Sequence, residues 1–147
     1  MKNLIKTLKT KNLTLALAES CTSGYASYLI TKTPGASKVF KGGTIVYSLE
    51  SKNKLFKIPK SALIKAQGVS KEIALALAKG VRKKFNADIG AAITGFAGPS
   101  DKKTGIVFIA IAAKTKTTAK KLIIDGSRDT VRKQASLALI NLIYELL

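Results

Sequence analysis

Six consecutive residues, ESCTSG at 19–24, crowd a carboxylate (Glu19), three hydroxyls (Ser20, Thr22, Ser23), a thiol (Cys21) and a glycine (Gly24) into one segment. They follow LTLALA (13–18), a continuous apolar run that reads as a buried strand. They lead into residues 23–32, where Tyr25, Tyr28 and Leu29 mark a helical apolar stripe. A hydroxyl at a strand–turn–helix junction is presented at the end of a sheet, where it can act as a nucleophile. The first amides of a helix lack intrahelical partners and face negative charge. Those after Gly24 are therefore expected to stabilise an oxyanion. The same Ser, Thr and Ser side chains also suit a helix cap. Cys21 suits a packed small side chain as well as a reactive thiol.

A serine nucleophile needs a base, and the chain contains no histidine. The remaining candidates are a neutral lysine, a tyrosinate or a carboxylate. GGTIVYSLESK (42–52) offers Tyr47 and Lys52, five residues apart across a strand-to-helix junction. A lysine must fall from about 10.4 toward 7 to serve at neutral pH, roughly 4 kcal/mol in relative protonation. Burial lowers it, and neighbouring positive charge helps; otherwise Lys52 is one more solvated lysine.

Two further stretches could meet an anion. TGFAGPSDKKTG (94–105) is a Gly/Pro loop of the kind that presents successive backbone N–H groups. It lacks both the GxxxxGK[ST] and the GxGxxG spacing, and it also reads as an ordinary turn. DGSRDTVR (125–132) opens the last helix with Arg128 and Arg132 one turn apart. Arginine at a helix N-terminus opposes the dipole, so Arg128 calls for a phosphate, Asp129 or Glu19 nearby. With no histidine, one cysteine and eight scattered carboxylates, no metal site is expected.

The elements that must position these groups follow from periodicity. Leu4, Ile5 and Leu8 mark a helix over 1–11. TPGAS (33–37) is a turn, and 42–48 reads as a second strand entered through glycines. A short helix follows at 49–57, and Pro59 begins another segment. Ser70 caps a helix to about Phe85, with Glu72 in its first turn and the face Ile73, Leu77, Val81 and Phe85. ADIGAAITG (87–95) and GIVFIAIAA (105–113) are the third and fourth strands, and AKKLIID (119–125) is a fifth at an edge. KTKTT (114–118) is a polar hairpin connection between the last two. Ser127 caps a final helix with the stripe Val131, Ala135, Ala138, Leu142 and Leu146. No repeat, linker or boundary interrupts the chain, which reads as one domain over 1–147 with α/β layering around a mixed sheet.

Composition bounds the setting. No apolar run approaches the roughly 18–20 residues that span a bilayer, so no membrane partner is expected. The basic start MKNLIKTLKTKN has no long apolar segment and no small-residue cleavage site, so no signal peptide is read. Cys21 is the single cysteine, which excludes an internal disulfide and suits a reducing, cytoplasmic compartment. The formal net charge of +18 invites nucleic acid. Only three of the 26 basic residues are arginine, however, and the lysines are spread along the chain. A lysine-rich solvated surface with nonspecific attraction to polyanions fits that distribution.

Taken in order, ESCTSG, PGASKVFKGGTIVYSLESK, QGVS, TGFAGPSDKKTGIV and GSRDTVR resemble the CinA C-terminal domain, a family that includes nicotinamide mononucleotide deamidases. The resemblance runs from about residue 13 to 146 and is to the stand-alone form, without a molybdopterin-binding-like domain. It implies a three-layer α/β/α sandwich around a mixed, mostly parallel sheet, usually as a homo-oligomer. It also implies hydrolysis of nicotinamide mononucleotide to nicotinic acid mononucleotide and ammonia, with no metal or organic cofactor. By position, Ser20 matches the nucleophile, with Tyr47 and Lys52 as its activating partners. Glu19, Thr22, Gly24, Thr94 and the 95–98 loop, with Gly95 and Gly98, match substrate-site positions, and Arg128 is the candidate anion contact. Ser23, Leu49 and Ser51 stand where the family usually has glycine, asparagine and alanine. Two other readings stay open: a catalytically weak or inactive basic module for nucleic acid or an acidic partner, and a hydrolase of the same mechanism acting on another amide.

Overall fold

Five strands and six helices make up the computed structural model, which describes residues 2–99 and 103–147. The order is α1 (Lys2–Thr10), β1 (Leu15–Glu19), α2 (Tyr25–Thr31), a 3₁₀ turn (Ala36–Lys38), β2 (Phe40–Ile45), α3 (Leu49–Phe56) and α4 (Lys60–Lys65). It continues with α5 (Lys71–Lys84), β3 (Ile89–Gly95), β4 (Ile106–Ala113), β5 (Thr117–Ile123) and α6 (Arg128–Leu146). The strands lie in the order β2-β1-β3-β4-β5. Pairing is parallel across β2, β1 and β3, and antiparallel from β3 to β4 and β4 to β5. The result is the three-layer α/β/α sandwich around a mixed sheet.

Alternation along the strands sorts the two faces. Leu15, Leu17, Ile89, Ile93, Ile109 and Ile111 pack with α1, α2 and α6. Ala16, Ala18, Ala92, Ala110 and Ala112 face the helices of 49–84. Small side chains let α5 ride close to the sheet. At Gly90 a Cβ would stand 2.1 Å from the Ala78 carbonyl oxygen, so only glycine fits there.

Local signals place most ends. The Ser70 hydroxyl accepts from the Ile73 N–H and the Ser127 hydroxyl from the Thr130 N–H, as their capping positions predict. Ser48 caps α3 in the same way, accepting from the Ser51 N–H.

Details of β2, the last hairpin and α6 differ from the sequence reading. β2 begins at Phe40, before the expected 42, and ends at Ile45, short of 48, so Gly42 and Gly43 lie in its interior and not at its entry. Phe40 already pairs with Leu15, and the register slips before Ala16 meets Gly42. A Cβ at Gly42 would stand 2.7 Å from the Phe85 ring, and one at Gly43 2.8 Å from the Leu17 carbonyl oxygen. The last hairpin is shorter than expected, because β5 already begins at Thr117. On α6 it is Leu139, not Ala138, that is fully buried.

The topology prepares a crevice. From β1 the chain passes through α2 to β2 on one side, then returns through α3, α4 and α5 over the opposite face to β3 on the other side. Crossovers that part onto opposite faces leave an opening at the carboxyl ends of the strands. In register, Glu19 lies between Ile45 and Ile93, so that opening is bordered by the residues that follow each.

Candidate active site

The β1 end is pinned on both sides. The Ser20 N–H donates to the Ile93 carbonyl at 3.0 Å, and the Val46 N–H donates to the Glu19 carbonyl at 2.8 Å. Ser20 is thereby held above the sheet, facing an open cavity of about 440 Å³. That volume is in the range of small-molecule sites. Tyr47, Lys52, Gly95, Gly98 and Arg128 line the same cavity, as do Cys21 and Thr104. Among the described residues the lining includes no acidic side chain, and it includes Lys52 and Arg128.

Lys52 sits in the middle of α3 and is only 2% exposed. Its Nζ lies 2.9 Å from Ser20 Oγ and 3.5 Å from the Tyr47 carbonyl oxygen. Burial lowers its pKa from the ordinary 10.5 to about 8, with a small opposing influence from the neighbouring Cys21. That change raises the neutral fraction at pH 7 by about 300-fold, to roughly a tenth. An uncharged amine can therefore accept the Ser20 proton. The same burial pushes the Cys21 thiol up to about 11, so it stays protonated at neutral pH. Ser20, not Cys21, holds the lysine.

The phenol of Tyr47 faces another partner. Its hydroxyl accepts from Arg128 Nη2 at 2.7 Å, and the side chain is exposed at the cavity mouth. Only its backbone approaches Lys52, so Tyr47 does not share its hydroxyl with the base. Arg128 spans the mouth, donating also from Nη1 to the Gly98 carbonyl at 2.6 Å. It opens α6 without pairing with Asp129 or Glu19; Asp129 instead lies 3.5 Å from Arg132.

Four expected substrate positions are not on the cavity wall: Glu19, Thr22, Gly24 and Thr94. Thr94 is fully buried and donates its hydroxyl to the Gly68 carbonyl at 2.7 Å, tying β3 to the turn before α5. Glu19 is buried and points back into its own turn. Its carboxylate accepts from the Thr22 and Ser27 hydroxyls and from the Gly24, Ala26 and Ser27 N–H groups. The amides expected to face an oxyanion at the start of α2 are thus already engaged. Gly24 serves the turn through its backbone, with φ of 92°. Ser23, with φ of 48°, occupies the left-handed region that glycine adopts most easily.

Sequence reasoning did not single out Ser48, Gln67, Val69 or Thr104 as wall residues, whereas the whole expected 95–98 loop, with Phe96 and Ala97, lies on the wall. Thr104 lay within the quoted Gly/Pro loop, and its hydroxyl is buried without a hydrogen-bond partner among the described residues. Residues 100–102 of that loop fall outside the described residues. Leu49 forms part of the wall next to the turn at Gly68, where a Cβ would stand 2.6 Å from its Cδ2.

The sequence matches the family model of the CinA C-terminal domain over residues 1–147. A relative from Caldanaerobacter subterraneus, described as a competence-damage inducible protein, is 43% identical over 138 residues, covering 91% of this chain and 34% of that protein. The chain spans about a third of the length of the curated relatives it matches. Among solved structures, a competence/damage inducible protein from Agrobacterium tumefaciens superposes with a TM-score of 0.94 at 25% identity, covering 98% of this chain and 91% of the other. A competence-damaged protein superfamily member from Escherichia coli gives 0.92 at 26%, covering 99% and 90%.

Proposed function

The chain belongs to the CinA C-terminal domain family, and on that footing we propose that it is an amidohydrolase converting nicotinamide mononucleotide to nicotinic acid mononucleotide and ammonia. The observation that carries the reading is the 2.9 Å contact between Ser20 Oγ and the buried Lys52 Nζ at the foot of an anion-favouring cavity.

The steps follow from that pair. Neutral Lys52 takes the hydroxyl proton as Ser20 Oγ bonds to the carboxamide carbon. The tetrahedral centre collapses, the C–N bond breaks, and Lys52 returns the proton to the departing nitrogen, releasing ammonia. Water then adds to the acyl carbon while Lys52 accepts its proton. The Oγ–C bond breaks, Ser20 is reprotonated and the product carboxylate leaves. Arg128 at the mouth receives the substrate phosphate, exchanging its internal partners Gly98 and Tyr47 for a charge-assisted pair. The positive charge of the chain raises the local concentration of such an anion. No resident cofactor enters this scheme. The protein is read as working in the cytoplasm, as a homo-oligomer.

The test is ammonia release by the purified chain from nicotinamide mononucleotide, nicotinamide and a simple aliphatic amide, side by side. Preferential hydrolysis of the mononucleotide supports the proposal. Turnover of the simple amide alone moves the protein to another substrate. No ammonia from any of them, with salt-dependent DNA binding, favours the basic binding module.

A further inference from the structure

The turn that carries Ser20 uses its polar groups in a way that the nucleophile alone does not require. Ser23 and Gly24 both have positive φ, which reverses the chain sharply after the strand. The following helix, α2, has no side-chain cap at Gly24. In place of a cap, Glu19 sends its carboxylate back from the end of the strand and gathers five donors, all within residues 22–27. Its neighbours on the strand keep the backbone at 19 and 20 fixed through Val46 and Ile93. Glu19 therefore couples the rigid strand to the turn across the nucleophile.

Few amides of this turn remain for an oxyanion. The Ser20 N–H is held by Ile93, the Ser23 N–H by the Ser20 carbonyl and the Tyr25 N–H by the Thr22 carbonyl. Those of Gly24, Ala26 and Ser27 belong to Glu19. Only the Cys21 and Thr22 N–H groups in this turn have no backbone or carboxylate acceptor among the described residues, and that of Cys21 meets only its own sulfur. Cys21 lines the cavity next to the nucleophile, whereas Thr22 is fully buried and does not. The residue following a nucleophile supplies an oxyanion donor in other strand–turn–helix sites.

We infer that Glu19 is a positioning residue for Ser20, and that the Cys21 N–H, not the amides at the start of α2, receives the oxyanion. The inference rests on the proposed amide hydrolysis for its catalytic consequence. Glu19 acts by holding the turn that aims both groups; its five donors all lie on its own turn and none on α3, where Lys52 sits.

The experiment compares the wild-type chain with Glu19→Gln, Thr22→Val and Ser27→Ala by two readouts. The first is kcat, KM and the pH profile on nicotinamide mononucleotide. The second needs no substrate: the rate at which phenylmethanesulfonyl fluoride modifies Ser20, read by peptide mass. In that reaction the Oγ–S bond forms, the S–F bond breaks, fluoride leaves and the hydroxyl proton passes to Lys52. Folded Glu19→Gln is expected to lose about 30-fold in kcat with KM held within about threefold. Its pH midpoint stays where the wild type has it, and labelling of Ser20 slows by about tenfold. Thr22→Val and Ser27→Ala each remove one donor and give smaller losses of the same kind, and they decide the matter if Glu19→Gln does not fold. Wild-type kcat and labelling in the folded variants overturn the inference, as does a loss confined to KM. If the wild type is labelled at Ser20 but releases no ammonia from the mononucleotide, the proposed function fails, and the labelling series still decides the role of Glu19.

Discussion

Replacing Lys52 with methionine should make the protein more stable at neutral pH while removing its base. Burial holds the Lys52 pKa at about 8 instead of 10.5. A difference of that size corresponds to roughly 3 kcal/mol, reduced to about 2–3 because the cavity is open to water. Below pH 8 the folded protein carries this as a constant penalty for charging a buried amine. Methionine has a similar length and no charge, so the penalty disappears. The lost hydrogen bond to Ser20 takes back about 1 kcal/mol. The net expectation at pH 7 is a gain of about 1–2 kcal/mol, or roughly 3–6 °C for a chain of this size.

The pH dependence gives the sign. Between about 8 and 10.5 the unfolded lysine holds a proton that the folded one has lost, so wild-type stability rises with pH through that window. The methionine variant lacks this contribution, and the gap between the two closes toward pH 10.5. Urea denaturation at pH 7 and pH 10 measures it, with Lys54→Met as the control for removing one charge from an exposed position on the same helix. A Lys52→Met protein less stable than wild type at pH 7, or a gap equal to that of Lys54→Met at both values, refutes the argument.

Other consequences can be checked together. The rate at limiting substrate should climb about tenfold per unit below pH 8 and level off above it, since the base must be neutral. A profile flat from pH 6 to 9 removes Lys52 from that role. Arg128→Ala should raise KM for the mononucleotide by about 10–100-fold with little change in kcat, and leave KM for the phosphate-free riboside unchanged. Equal losses on both substrates would contradict a phosphate contact. Tyr47→Phe, which deletes only a partner of Arg128, should keep kcat within about threefold. Gly90→Ala places a Cβ 2.1 Å from the Ala78 carbonyl oxygen. It should destabilise the fold by about 3 kcal/mol, seen as a melting point roughly 6–12 °C lower.

The sequence carried the layers and the catalytic pair unequally well. Apolar runs at 13–18, 87–95 and 105–113 mark the central strands because those strands are buried on both faces. The start of β2 reads two residues late because glycines inside a strand look like its entry, when here they admit the Phe85 ring and the Leu17 carbonyl. At the site, Ser20 and Lys52 stood 32 residues apart, and the resemblance, not periodicity, joined them. The Arg128–Tyr47 and Thr94–Gly68 contacts join residues 81 and 26 positions apart, which no local pattern records. Glu19 was misplaced for a different reason. The resemblance alone assigned it to the substrate, but a turn with two positive φ values needs a local anchor, and the strand end supplies one.

The most direct test compares ammonia release from nicotinamide mononucleotide at pH 8 by the wild type, Ser20→Ala and Cys21→Ala. Ser20→Ala is expected to lose at least about 10³-fold, and Cys21→Ala to keep near wild-type turnover. Activity that survives in Ser20→Ala and vanishes in Cys21→Ala would contradict attack by the serine, and would assign it to the thiol.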